Sequence, residues 1–440
     1  MTTSTNGESA GPLPGNIGKV TPFVIALFFL WGFSTVLLDS LVPKLKTLFA
    51  LSYAEVMLTQ FCFFLAYFVV SIPAATLLGR IGYMRGIVVG LLVMAVGDLM
   101  FAPAAMLGTY DGILAALFVM ASGITLLQVA ANPLVAVLGP AQTSSSRLTL
   151  AQAFNSFGTA IGPWIGAKLI LSTTSGAAPD PKTAAPSVLA AFRRAEIHLV
   201  EVPFLAIAAI LLTLALIFWL LRHAPGIPGA DRIQFHPAGI RRILRQPRLR
   251  FGTLAIFLYV GAEVTIGSLM TNYLMQPNRL ALAAAETPGL VRMFWTGTIA
   301  QAGQLVAFYW TGAMIGRFAG SFILSRFRPG LVLTGFALTA ACLVSLSALS
   351  VGTISVVAII AVGLVNSIMF PTIFALAIEG LGEDTPQGSG LLCMAIVGGA
   401  VIPWFSGVTA DHTGLASALF VPVMCYLLIA GYGLGARNPA

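Results

Sequence analysis

The chain has 440 residues, of which 58% are hydrophobic and only 9% charged, and its mean hydropathy is +0.94. A soluble domain of that size cannot bury so much apolar surface and show so few charges, so an ordinary water-soluble fold is excluded. The net charge of +8 is not a nucleic-acid signature here, because many of the basic residues sit in short loops between apolar spans, as in a polytopic protein of a lipid bilayer.

The first 20 residues are polar, without a basic n-region or a small-residue cleavage site, and are read as a cytoplasmic tail with no cleaved signal peptide. The first apolar span, 21–43, carries one carboxylate, Asp39. A charged Asp in hydrocarbon costs about 2.5–3.5 kcal/mol on insertion scales, so such a residue normally faces a polar cavity on an ion or substrate path. The alternative is that Asp39 lies at the membrane surface, since Pro43, Lys44 and Lys46 follow closely. Further spans are expected at 55–78, 86–107, 112–138, 147–171 and 199–221, then 251–275, 299–325, 330–349, 353–380, 389–410 and 414–434. These make two groups of six: an N-terminal bundle over 21–221 and a C-terminal bundle over 251–434, joined by a basic linker, 222–250, with 435–440 as a second tail. The linker holds Arg222, Arg232, Arg241, Arg242, Arg245, Arg248 and Arg250 and is cytoplasmic by the Lys/Arg rule, which puts both termini in the cytoplasm. The loop 172–198, with Lys182, Arg193 and Arg194, is basic on the opposite side and votes against this orientation.

The two groups read as copies of one unit. Gly158-Thr159-Ala160-Ile161-Gly162-Pro163-Trp164 on the fifth span is answered by Gly398-Gly399-Ala400-Val401-Ile402-Pro403-Trp404 on the eleventh. Pro133 lies 30 residues before Pro163 of the first string and Pro371 lies 32 before Pro403 of the second, while spans two and eight both close on Leu-x-Arg, at Leu78/Arg80 and Leu324/Arg326. The fold class is therefore all-α, with twelve transmembrane helices in two pseudo-symmetric bundles. Paired halves of this kind are the architecture of secondary transporters that rock about a midplane site.

Uncharged amides inside the spans recur in corresponding places: Gln128, then Gln152 and Asn155 on one face of the fifth helix, and Asn366 in the second half. Amides offer donors and acceptors together, which suits the hydroxyls of a sugar better than a bare ion or an acyl chain. Trp31, Phe154, Trp164 and Phe370 offer aromatic faces for a pyranose ring. Glu263, about twelve residues into the seventh span, sits on the counterpart of the helix bearing Asp39; paired carboxylates of this kind serve a coupling ion, a proton relay or a sugar. Asn132-Pro133 is read as satisfying backbone groups that proline frees, Asp98 as a helix-packing residue, and Gln301 and Gln304 as surface amides. Gln128 and Gln152 could equally be plain interhelical hydrogen bonds.

No signature of an enzyme is present: there is no phosphate-binding loop, and Gly388-Ser389-Gly390 only opens a helix. Four cysteines and four histidines show no metal or disulfide spacing, so neither a metal nor a cofactor is expected.

At several strings the chain resembles the fucose/glucose/galactose branch of the major facilitator superfamily, and within it the bacterial glucose/galactose type. They include Ser122-Gly123-Ile124-Thr125-Leu126-Leu127-Gln128-Val129-Ala130-Ala131-Asn132-Pro133, Ser146-Arg147-Leu148-Thr149-Leu150-Ala151-Gln152-Ala153-Phe154-Asn155-Ser156-Phe157-Gly158, Tyr259-Val260-Gly261-Ala262-Glu263, Gly312-Ala313-Met314-Ile315-Gly316-Arg317-Phe318 and Met369-Phe370-Pro371-Thr372-Ile373-Phe374. The resemblance implies a proton-coupled hexose symporter of a bacterial inner membrane, working as a monomer. It puts the family's first-helix carboxylate on Asp39 and its sugar-contacting amides on Gln152 and Asn155. Gln128 stands where fucose-type members carry a second carboxylate, and a Gln cannot hold a proton, so a relay between that position and Asp39 is excluded and Glu263 is the candidate to share that role. Val36 and Leu38 replace polar residues near the acid, and Gly79 replaces the acid expected before Arg80. Sodium coupling, facilitated entry, N-acetylglucosamine as substrate, and a non-transporting sugar sensor are the alternatives left open.

Overall fold

The structure, a computed structural model, describes residues 20–35, 53–107, 109–138, 140–166, 186–223, 243, 245–287, 289 and 299–436. Its long helices follow the order of the expected spans. They are α1 (Val20–Thr35), α2 (Tyr53–Ile81), α3 (Tyr83–Leu107), α4 (Tyr110–Val137), α5 (Ser144–Gly166), α6 (Pro186–Leu221), α7 (Pro247–Leu274), α8 (Ile299–Arg326), α9 (Pro329–Leu349), α10 (Gly352–Ile378), α11 (Gly382–Thr413) and α12 (Leu415–Gly435). Nine of them, among the described residues, are long and apolar enough to cross a membrane. Lipid offers the backbone no hydrogen-bond partner, so each span satisfies its own groups as a helix.

In the first half α3 packs on α4 and α6, and α2 on α4; in the second, α9 packs on α10 and α12, and α7 on α11 and α12. The two halves meet where α5 lies on α8 and α2 lies on α11. The repeated Gly-containing strings explain one feature of each bundle. Gly158 of α5 lies against the carbonyl of Phe29 in α1, and Gly398 of α11 against the carbonyl of Phe257 in α7. A β-carbon at either position would strike backbone, so glycine is what lets these helix pairs touch. The repeat read in the sequence is thus a repeated helix crossing.

Two boundaries differ instructively from the sequence reading. Helix α6 begins at Pro186, not 199, and runs for 36 residues. At 1.5 Å per residue that is about 54 Å, well beyond a hydrocarbon core of about 30 Å. Arg193 and Arg194 therefore lie on a helical extension and not in a loop; the hydropathy pattern ends at the charges, whereas the helix does not. Helix α7 begins at Pro247 rather than 251, proline being well suited to a first turn. Helix α10 is interrupted at Ser367–Ile368 and α11 at Ala395–Val397.

After α7 the chain makes a π turn, Pro277–Ala281, and the short helix Leu282–Glu286. Arg279 is only 2% exposed. It donates to the carbonyls of Ser347 (3.2 Å) and Ser350 and to Ser355 Oγ (2.9 Å), with its guanidinium 4.5 Å from the Tyr273 ring centroid. Glu286 accepts from the Thr353 N–H at 2.8 Å, tying the same connection to the start of α10.

Candidate functional site

Helices α4 and α5 bring the predicted amides of the first half together. Gln128 Nε2 donates to Tyr67 Oη of α2 at 2.5 Å. One turn further along α4, Asn132 Oδ1 accepts from Gln152 Nε2 at 3.2 Å. Asn155 Nδ2 donates to the Phe28 carbonyl at 3.0 Å, which fastens α5 to α1 beside Trp31. Trp31 is buried, its ring 5.3 Å from that of Phe28. Gln128 and Gln152 are 6% and 5% exposed, so both work inside the bundle rather than on its surface.

In the second half Tyr259 Oη donates to Glu263 Oε1 at 2.7 Å, one turn apart on α7. Asn366 Nδ2 donates to Tyr309 Oη of α8 at 2.7 Å, and Tyr426 of α12 lies beside Asn366. Arg317 on α8 donates to the carbonyl of Ser367, the residue after Asn366. Phe370 closes this group, its ring 6.5 Å from Tyr259. Glu263 is partly exposed and Asn366 fully buried.

Several buried polar atoms in these groups have no hydrogen-bond partner among the described residues: Asn132 Nδ2 in the first half, Asn366 Oδ1 and Tyr426 Oη in the second. Buried amides normally pair fully, so the two groups retain one donor and two acceptor-capable oxygens. Other candidates stand apart. Asp39 lies outside the described residues, as do the side chains of Gln301, Gln304 and Trp164. Asn272, a further amide of the seventh span, is exposed on α7. Asp98 is buried on α3, which packs against α4 and α6, and neither of its oxygens has a partner among the described residues.

The sequence reading missed Tyr67, Tyr259, Tyr309, Tyr426 and Arg317 as site residues. Buried tyrosines seek a partner for the hydroxyl, and Tyr259 stands four residues before Glu263, so that pair was available from spacing. Arg317 is a cation within an apolar span, which by default marks function.

The family model described as the Major Facilitator Superfamily matches residues 23–403. The chain belongs to the Major Facilitator Superfamily. Its twelve helices in two bundles are those of the superfamily's fold, and the sequence expectation of fold class stands. Among superfamily relatives, the glucose/galactose transporter of Brucella abortus (strain 2308) is 44% identical over 419 residues, covering 95% of this chain and 94% of the relative. The L-fucose-proton symporter of Escherichia coli (strain K12) is 34% identical over 418 residues, covering 93% of this chain and 92% of the relative. Among solved structures, the superfamily transporter FucP in the outward conformation superposes with a TM-score of 0.84 at 32% identity, covering 96% of this chain and all of that one.

Proposed function

We propose that this superfamily member carries a hexose of the glucose/galactose type together with a proton, by alternating access between its two bundles, and is not an enzyme. The observation that supports it best is the pairing of two amide-and-tyrosine groups, one in each half, that keep donor and acceptor atoms unpaired on α4, α10 and α12. A pyranose presents hydroxyls that both donate and accept, and so satisfies both halves at once. The names of the relatives, glucose/galactose transporter and L-fucose-proton symporter, point the same way.

In this reading Gln128, Gln152, Asn155 and Asn366 hydrogen-bond the sugar, Trp31 backs the first-half amides, and Glu263 contributes both to the sugar and to the proton step. Asp39 binds the coupling proton. Because Gln128 cannot titrate, the proton path uses Asp39 and Glu263 alone. The protein works as a monomer in a bacterial cytoplasmic membrane. Its bundles are 21–221 and 251–434, and the linker 222–250 and both tails, 1–20 and 435–440, are on the cytoplasmic side.

The test is the external pH of a lightly buffered suspension of cells expressing the protein, with glucose, galactose, fucose and N-acetylglucosamine added singly without sodium. Alkalinisation with glucose or galactose is the expected result. Sugar entry at constant pH would overturn proton symport, and entry that then requires sodium would put sodium coupling in its place.

A further inference from the structure

Proline has no N–H to give to the carbonyl four residues before it, so Pro133 frees the carbonyl of Val129 and Pro371 that of Ser367. In each half the freed acceptor is taken by a side chain that bears on the contact between halves. Ser389 of α11 crosses to donate its hydroxyl to the Val129 carbonyl of α4 at 2.9 Å. Asn132, the sequence-based candidate for satisfying groups freed by Pro133, does not take this carbonyl: its Nδ2 has no partner among the described residues, and its Oδ1 accepts from Gln152. Arg317 of α8 gives Nε–H to the Ser367 carbonyl at 3.1 Å. Its other arm crosses to α5, donating to Ser156 Oγ and, at 3.4 Å, to the Gln152 carbonyl.

Neighbouring contacts continue the same seam. Ser146 Oγ donates to the Ser321 carbonyl at 2.7 Å, and the Phe154 and Phe318 rings meet edge to face at 5.7 Å. Gly390 brings α11 against Ser71 and Ala75 of α2. By the alternation of the spans, these contacts lie between the middle of the helices and the end that carries the 222–250 linker.

We propose that Arg317 and Ser389 form a two-point clasp that holds the halves together at the linker end, seated on the carbonyls that Pro371 and Pro133 leave free. Arg317 is also a positioning residue, because the turn of α5 it grips carries Gln152 and Asn155. A guanidinium suits this role because its planar fork reaches acceptors in both halves at once. The clasp itself rests on geometry alone; the positioning of the two amides rests on the transport reading above.

The experiment is a pair of spin labels on Gln142→Cys and Ser325→Cys, exposed residues at the linker end of the two halves, in a background with Cys62 and Cys342 replaced by Ser, read by pulsed dipolar spectroscopy without sugar. Arg317→Gln is expected to raise the population with separated ends by about tenfold or more, the weight of one lost hydrogen bond to a charged group. Arg317→Lys should recover part of the change, and Ser389→Ala and Ser156→Ala, which spare the arginine, should shift the distribution in the same direction. In uptake, Arg317→Gln should raise KM about tenfold more than it lowers kcat. Distributions like the wild type's in Arg317→Gln, or in both serine variants should the arginine variant not fold, would overturn the clasp. A wild-type KM in an Arg317→Gln protein whose ends do separate would overturn the positioning role. Separation of the ends in a protein that transports none of the four sugars would sink the transport reading and leave the clasp standing.

Discussion

Replacing Gly158 or Gly398 by Ala separates two effects that usually cancel. In a helix, Ala is favoured over Gly by about 0.5–1 kcal/mol, because the glycine backbone has more freedom to lose. At these two sites the added methyl meets backbone carbonyl oxygen of the facing helix, of Phe29 and Phe257 respectively, and backbone cannot rotate aside as a side chain can. Forced overpacking of that kind costs about 1–3 kcal/mol. Gly335 in α9 and Gly407 in α11 have nothing within 4 Å of the same added atom and supply the matched controls. Both pairs share the helix gain, so they differ by the overpacking cost alone, and the contact pair should melt below the open pair by about 1–3 kcal/mol. Thermal unfolding of the four variants in one detergent, followed by loss of the monodisperse peak, reads the order directly. Uptake should fall with stability in Gly158→Ala, since Asn155 lies one turn away and holds the Phe28 carbonyl. If Gly158→Ala and Gly398→Ala melt together with the two controls, the close approach of the paired helices is wrong.

Other perturbations address the site and its frame. Asp39→Asn should abolish accumulation of sugar against a gradient while exchange of sugar for sugar continues; accumulation at the wild-type level would remove Asp39 from the mechanism. Tyr67→Phe leaves the buried Gln128 amide without its partner and should raise the KM for uptake about tenfold, whereas an unchanged KM would take Gln128 out of the binding group. Glu286 is held below the usual carboxylate range by the Thr353 backbone N–H and side chain, so its stabilising bond exists above the unfolded-state pKa of about 4.3 and is lost as pH falls through the lower folded value. Wild type should melt above Glu286→Gln at pH 7, with the difference shrinking in acid; a gap independent of pH would refute the assignment. Arg248 and Glu379 pair at 2.8 Å between the start of α7 and the end of α10, so Arg248→Glu should lower expression of folded protein and the added Glu379→Arg should restore it, failure of the double variant to recover counting against the pair.

Much of this molecule is legible in its sequence because lipid enforces simple rules. Apolar runs of about 20 residues became helices, and the glycines that open the two Gly-x-x-x-x-Pro-Trp strings became related crossings in the two bundles. The amides at Gln128, Gln152 and Asn366 proved to be buried and hydrogen-bonded, though spacing alone could not say to what. Hydropathy failed where helix and membrane part company: α6 continues through Arg193 and Arg194 because leaving the hydrocarbon does not end a helix. The tyrosines were missed because in an apolar run each reads as one more large side chain, its hydroxyl acquiring meaning only when another helix supplies the partner. Arg317 was visible as a charge, but its acceptors are carbonyls, and no one-dimensional pattern shows which carbonyls a proline has released.

The buried Arg279 has a consequence for a protein proposed to handle protons. Its counter-charge is the end of a helix: Ser347 and Ser350 belong to the last turn and cap of α9, where carbonyl oxygens carry the negative pole of the helix dipole. A peptide carbonyl does not titrate at any pH a bacterium survives. Carboxylates, Glu286 of the same connection included, can gain and lose protons while the carbonyls that hold this buried cation stay as they are. The groups that respond to protons and those that seat the buried arginine are thus made of different materials.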